Sequence, residues 1–177
     1  MNRTKKLQPP LTEADVRSLE AGGQVSVTGA VYTARDMAHK RLCELIDAGR
    51  ELPFELEGAI IYFAGSTPAR PGRVIGAAGP TTSSRMDAFS PKVIASGLRA
   101  MIGKGYRGAE VREALKEHGA VHLSTIGGAG ALLSKHVVSA EVIAFEDLGA
   151  GAIQKLNVVD FLAIVAYDCH GKSAYKE

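Results

Sequence analysis

Between Gln24 and Gly49 the spacing of apolar residues changes period, and this change most narrows the folds open to the chain. Over residues 24–31, Val25 and Val27 alternate with polar neighbours, as in a half-buried strand. Ala34, Ala38, Leu42 and Leu45 then recur at helical spacing over residues 34–48, and Gly49 stops the pattern. A strand runs through a short junction into a helix. The same alternation continues downstream. Residues 59–63 and 74–78 predict buried strands, joined by a loop over 65–72 that contains Pro68 and Pro71. Ser90 as N-cap with Pro91 in the first helical position predicts a helix whose stripe is Val93, Ile94, Leu98, Met101 and Ile102 and which Gly103 ends. Residues 108–118 predict a further helix closed by Gly119, and 121–126, 141–145 and 163–167 complete the strands. Gly127-Gly128-Ala129-Gly130 reads as a strand-to-helix turn without the G-x-G-x-x-G spacing of a dinucleotide site.

Elements in this order predict one α/β domain with a mixed sheet over residues 1–177. A chain of 177 residues that is 46% apolar can bury one sizeable core. The formal net charge of +2 and the scarcity of aromatics leave no nucleic-acid footprint. No apolar run spans a bilayer and no h-region follows the basic start, so no membrane association and a cytoplasmic location are expected. Lys5, Lys6 and residues 172–176 are expected to be loose, solvated ends.

Three polar segments stand at junctions between elements. Residues 76–87, Gly-Ala-Ala-Gly-Pro-Thr-Thr-Ser-Ser-Arg-Met-Asp, pack hydroxyls, backbone N–H groups and the cation Arg85 into one loop, a composition that suits a small anion and also an ordinary turn. Arg35 stands where a strand turns into a helix, and Lys104 lies between Gly103 and Gly105 beyond a predicted helix. Arginine grips a carboxylate with two parallel hydrogen bonds and lysine adds a point charge, so Arg35, Arg85 and Lys104 brought together would hold a dicarboxylate. Asp36 and Asp87 are expected to aim the site arginines by ion pairing. His39, one turn beyond Arg35, either orients a site side chain or is an unremarkable helix-start histidine. His122 is expected to face solvent or a partner, and His118 and His136 to be solvated.

The two cysteines, Cys43 and Cys169, are far apart and in no metal-ligand spacing, so this chain cannot supply three thiolates to an iron–sulfur cluster. Both read as reduced structural thiols, Cys169 because its neighbour His170 would point to the opposite face of a strand.

The same segments carry a family likeness. Residues 10–16, 26–29, Ala34-Arg35-Asp36-Met37-Ala38-His39-Lys40-Arg41-Leu42, 79–87, 102–105, Gly127-Gly128-Ala129 and Asp147-Leu148-Gly149 resemble, in order and separation, the β subunit or C-terminal domain of the class I iron–sulfur hydro-lyases, class I fumarase and L-tartrate dehydratase. The resemblance implies a three-layer β/β/α swivelling-type α/β domain with a mixed sheet. It implies an α subunit that carries a 4Fe-4S cluster through three cysteines, a C4 dicarboxylate substrate, and an αβ unit that pairs into a dimer of heterodimers. It places Arg35, Thr81, Thr82, Arg85 and Lys104 on the substrate, with Thr81, Arg85 and Lys104 as catalytic groups and Thr81 at the position discussed as proton acceptor, although a threonine hydroxyl is a poor base. The expected function is the β subunit of a class I fumarate hydratase; the alternatives are tartrate dehydratase and a non-catalytic module of the same fold. Ala150-Gly151 replaces a bulky residue and a glutamate common in the family, and Ser66 replaces a common proline; neither is expected to touch the cations.

Overall fold

The computed structural model describes residues 3–125 and 130–176. Its strands are β1 (Lys5–Leu7), β2 (Gln24–Thr33), β3 (Ile60–Tyr62), β4 (Ala100–Gly103), β5 (Val121–Ser124), β6 (Val137–Ala144) and β7 (Ile153–Tyr167). The helices are α1 (Glu13–Arg17), α2 (Asp36–Asp47), α3 (Ser90–Ala95), α4 (Ala109–His118) and α5 (Gly130–Leu133), with 3-10 turns at Ser83–Met86, Ser134–His136 and Glu146–Gly151.

β2, β3, β4 and β5 lie side by side and parallel. β7 runs antiparallel to both β5 and β2 and so closes the sheet into a barrel. β1 extends β2 and β6 extends β7 outside the ring. Closure requires the 15-residue β7 to bend. It does so where its register with β2 shifts around Gly29, with Asp160 at φ 50 and its N–H donating to Thr28 Oγ1 at 3.1 Å.

Two cores follow from strands buried on both faces. Ile60 and Tyr62 point into the barrel with Val25, Val31, Ile102, Leu123, Phe161 and Val165. Ile61 and Phe63 point the other way, into a second core with Leu42 of α2, Val93 of α3 and Leu115 of α4. Helix ends obey local chemistry: Gly49 and Gly119 take φ of +63 and +67, as C-terminal caps of α2 and α4 demand.

Several expectations are corrected. Residues 100–103 form β4 and not the end of a helix, because Gly97 at φ +119 breaks the chain after a six-residue α3. Lys104 therefore follows a strand. Ser90 is the first residue of α3, not its cap, and its hydroxyl donates back to the Met86 carbonyl at 2.9 Å. Residues 74–78 form no strand; the segment folds on itself, with Thr67 N–H donating to Ala77 O at 3.0 Å and Ala77 N–H to Thr67 Oγ1 at 2.8 Å. Lys5 and Lys6 belong to β1, and the tail is tied down by Ala174 N–H to Ala166 O at 2.8 Å. The Gly127-Gly128-Ala129 part of the glycine turn lies outside the described residues. No described helix is long and apolar enough to cross a membrane.

Candidate active site

Parallel strands deliver their carboxyl ends to one rim of the barrel, and the predicted cations stand there. Arg35 follows β2 and is the N-cap residue of α2; Lys104 follows β4 directly. The hydroxyl loop is stitched between the ends of β3 and β4. Ala64 bridges Pro80, Thr81 N–H donates to Phe63 O at 2.7 Å, Thr82 bridges Lys104, and Ser83 N–H donates to Lys104 O at 2.9 Å. Gly103 makes this close approach possible, since a Cβ there would lie 2.1 Å from Ser83 Oγ. The following 3-10 turn presents Arg85, whose Nη2 donates to Asp36 Oδ2 at 2.5 Å. Through these contacts the segments 35–36, 80–85 and 104 are linked into one patch.

The patch is open to solvent. The Arg85 side chain is 55% exposed; Thr82 is exposed, while Thr81, Arg35 and Lys104 are half-buried. Burial pushes the Asp36 carboxyl up, but its backbone N–H and the Arg85 and Arg35 guanidiniums outweigh it and hold the group below its ordinary value. Asp36 is thus an anionic brace for Arg85. The guanidinium of Arg35 lies across Gly65, where a Cβ would come within 2.7 Å of Cζ and 3.0 Å of Ala150 O. Gly151 also faces Arg35, its Cβ position 3.9 Å from Nη2. The expectation that Ala150-Gly151 stands clear of the cations is therefore corrected. Ser66 instead accepts a 3.0 Å hydrogen bond from Gln154 Nε2. Gly65→Ala should displace the Arg35 guanidinium and weaken binding of a dicarboxylate probe to this rim about tenfold, roughly 1.4 kcal/mol. An unchanged affinity would show that Arg35 does not meet the anion.

Asp87 does not pair with Arg85. Its Oδ1 accepts from Arg107 Nε at 2.7 Å and its Oδ2 from the Gly108 N–H at 2.7 Å. Arg107 escaped the sequence reading, yet its side chain is fully buried beneath the loop. Nothing in its local spacing marks it, because its ion-pair partner Asp87 lies 20 residues away.

His39 is fully buried, its Nδ1 2.9 Å from Arg35 O and its ring against Phe63. Nδ1–H therefore donates, and burial pulls the pKa down to about 4, the Arg35 carbonyl opposing and the Arg107 charge assisting. His122 faces neither solvent nor partner: it is fully buried, 3.3 Å from Arg107 Nη1, and its pKa lies well below the ordinary value through burial and the Arg107 charge. Arginine only donates, so Nδ1 of His122 accepts and Nε2 carries the proton.

The chain's own donors do not fit an iron–sulfur cluster. Cys43 and Cys169 are buried and free, and burial raises both thiols above their ordinary values. Cys169 lies past the end of β7 in a turn, 3.8 Å from His170 Nε2, so the strand argument for separating them fails while the structural reading of the thiol holds. Among the described residues no group of three His, Cys, Asp or Glu side chains is placed to hold a metal. A concavity of about 480 Å³ beside Ser124, Leu162, Ile164 and Tyr175 has no charged side chain among the described residues that line it and does not suit a dicarboxylate.

The family model described as "Fumarase C-terminus" matches residues 2–177. The anaerobic class I fumarate hydratase of Escherichia coli K12 is 35% identical over 175 residues, which cover 97% of this chain and 32% of that protein. Fumarate hydratase 2 of Leishmania major is 35% identical over 158 residues, 88% of this chain and 28% of that protein. A Methanocaldococcus jannaschii protein provisionally named L(+)-tartrate dehydratase subunit beta is 37% identical over 173 residues, 94% of this chain and 89% of its own length. The chain thus spans about a third of the fumarate hydratases it matches and nearly all of the separate tartrate dehydratase subunit. Because that family model matches residues 2–177, nearly the whole chain, the chain belongs to the fumarase C-terminus family.

Proposed function

We propose that this chain is the β subunit of a class I fumarate hydratase and contributes the carboxylate-binding half of a site that hydrates fumarate to L-malate reversibly. One observation carries the reading: the loop with Thr81, Thr82 and Arg85 is hydrogen-bonded to the strand ends that bear Lys104, and Arg85 is braced on Asp36 next to Arg35. Removal of a proton next to a carboxylate builds negative charge on that carboxylate. Cations fixed beforehand on a rigid rim stabilise that charge without reorganising. Arg35, Arg85 and Lys104 would do this work, and the Thr81 and Thr82 hydroxyls would hydrogen-bond substrate oxygens. Among the described residues no basic side chain is hydrogen-bonded to the Thr81 hydroxyl, which favours a binding role over proton abstraction.

The donor set above leaves the 4Fe-4S cluster to an α subunit, which would close the open face of the patch. The complete enzyme is read as an αβ unit paired into a dimer of heterodimers, in the cytoplasm. The whole chain is read as one domain of the three-layer β/β/α swivelling type, supported by a barrel with helices α2, α3 and α4 packed on one flank. L-Tartrate dehydratase is the second reading, favoured by the near-complete coverage of a separate β subunit.

The test is reconstitution. The purified chain, given iron and sulfide anaerobically, should take up no stoichiometric cluster and hydrate nothing; combined with a co-expressed partner carrying three separated cysteines, it should turn over fumarate faster than tartrate. A cluster with turnover in this chain alone would overturn the two-subunit reading. Faster tartrate dehydration would select the second reading, and an inert complex a non-catalytic module.

A further inference from the structure

The patch stands on a buried cation that the chemistry above does not use. Arg107 has no exposed side-chain surface, and it is wired to the core on every side. Its Cζ lies 5.3 Å from the centre of the Phe63 ring, its Nη1 is 3.4 Å from Met101 Sδ and 3.3 Å from His122 Nδ1, and its backbone N–H donates to Tyr167 OH at 3.3 Å. Those partners belong to the run just after β3 and to β4, β5 and β7. Burying a guanidinium is costly unless its donors are met, and here the fork is spent on fixed groups.

Two of those groups belong to the site loop. Asp87 ends the 3-10 turn that presents Arg85, and its carboxylate joins Arg107 Nε to the first amide of the α4 terminus. The second route runs through Ser90: Arg107 Nη2 donates to Ser90 Oγ at 2.5 Å, and that hydroxyl donates to the carbonyl of Met86, the last residue of the same turn. The upstream end of the loop is held by backbone bonds to Phe63 and Lys104. Its downstream end is held by Arg107. Phe63 serves both, since its carbonyl receives Thr81 and its ring lies against the guanidinium.

We propose that Arg107, acting through Asp87 and through Ser90, is a positioning residue that holds the 81–87 loop in its carboxylate-binding shape; the substrate named for the loop rests on the functional reading above. Arg107 touches no substrate. Losing its fork would leave Arg85 and the threonines present but no longer held in register, and would weaken ground-state and transition-state binding alike.

Two measurements test this on Arg107→Lys, which keeps the charge and loses the fork. In the full chain alone, hydrogen exchange of the Ser83 to Asp87 amides should accelerate at least about tenfold while the β5 amides keep their protection. In the assembled enzyme, the KM for fumarate should rise about tenfold with kcat per active site falling less than about threefold. Ser90→Ala, which removes only the second route, should give the same pattern more weakly and carries the test if the lysine variant does not fold. A merely structural role predicts the reverse: fewer active molecules, unchanged KM, and loosening of β5 and α4 as much as of the loop. That result would overturn the proposal. A wild-type complex inert toward both dicarboxylates would end the hydratase reading, whereas the exchange experiment would still decide whether Arg107 holds the loop.

Discussion

Arg85→Lys, in the αβ enzyme proposed above, is expected to lower kcat/KM about a hundredfold, the equivalent of roughly 3 kcal/mol of transition-state stabilisation. The charge is kept, so the loss measures geometry. Arg85 already spends one nitrogen on Asp36 at 2.5 Å, and the planar fork leaves the others free to meet a carboxylate in a fixed direction. A lysine ammonium on a longer, more flexible stem must choose between the Asp36 brace and the substrate. Asp36→Asn should cost less, because it loosens the brace and leaves the fork intact. Near-normal kcat/KM in the lysine variant would remove Arg85 from the site.

Acid should destabilise the chain before its carboxylates titrate. His39 has a folded-state pKa of about 4 against an ordinary 6.5, because burial disfavours the imidazolium and Arg107 repels it. The unfolded chain therefore binds the proton first. The stabilisation is complete above about pH 6.5 and is lost as the pH falls toward 4, amounting to about 3 kcal/mol for His39 alone. His122, also pushed well below the ordinary value, acts in the same direction. The carboxylates held low by ion pairs, Asp36 and Asp147 among them, act in the same direction at lower pH, their stabilisation being present above the ordinary carboxylate range and lost as the pH falls through it, and the exposed ones contribute little. Urea unfolding should show a midpoint that falls steeply between pH 7 and pH 5, and His39→Gln should flatten that fall. Identical pH slopes in the two proteins would show that His39 is not the group responsible.

How much of this was visible in the sequence depended on how local the cause was. α2 and α4 could be read because a periodic stripe ran into a glycine that only a left-handed cap explains. β4 could not, because Ile94, Leu98, Met101 and Ile102 happen to continue helical spacing across the break at Gly97. Barrel closure was hidden for a different reason: it pairs Gln24 with Ile164, and strand-by-strand alternation does not reveal which distant edges meet. At the site the cations announced themselves by their junctions and by family likeness. Asp87 was seen but given the wrong partner, and Arg107 was missed, since the pair spans 20 residues and depends on burial that no spacing encodes. His122 failed similarly: one polar residue in an apolar strand reads as outward-facing until Phe63, Arg107 and Tyr167 are found to cover that side.

Because β7 clamps both β2 and β5, the sheet has no seam at which the parallel strands can part. Arg35, Lys104 and the loop between them are fastened to that hoop, so the described part of the rim shifts as a single stiff collar. In the two-chain enzyme proposed above, enclosing a ligand would then depend on how the two chains are hinged against each other. Substitutions that alter that hinge would change access to the ligand without disturbing any residue that touches it.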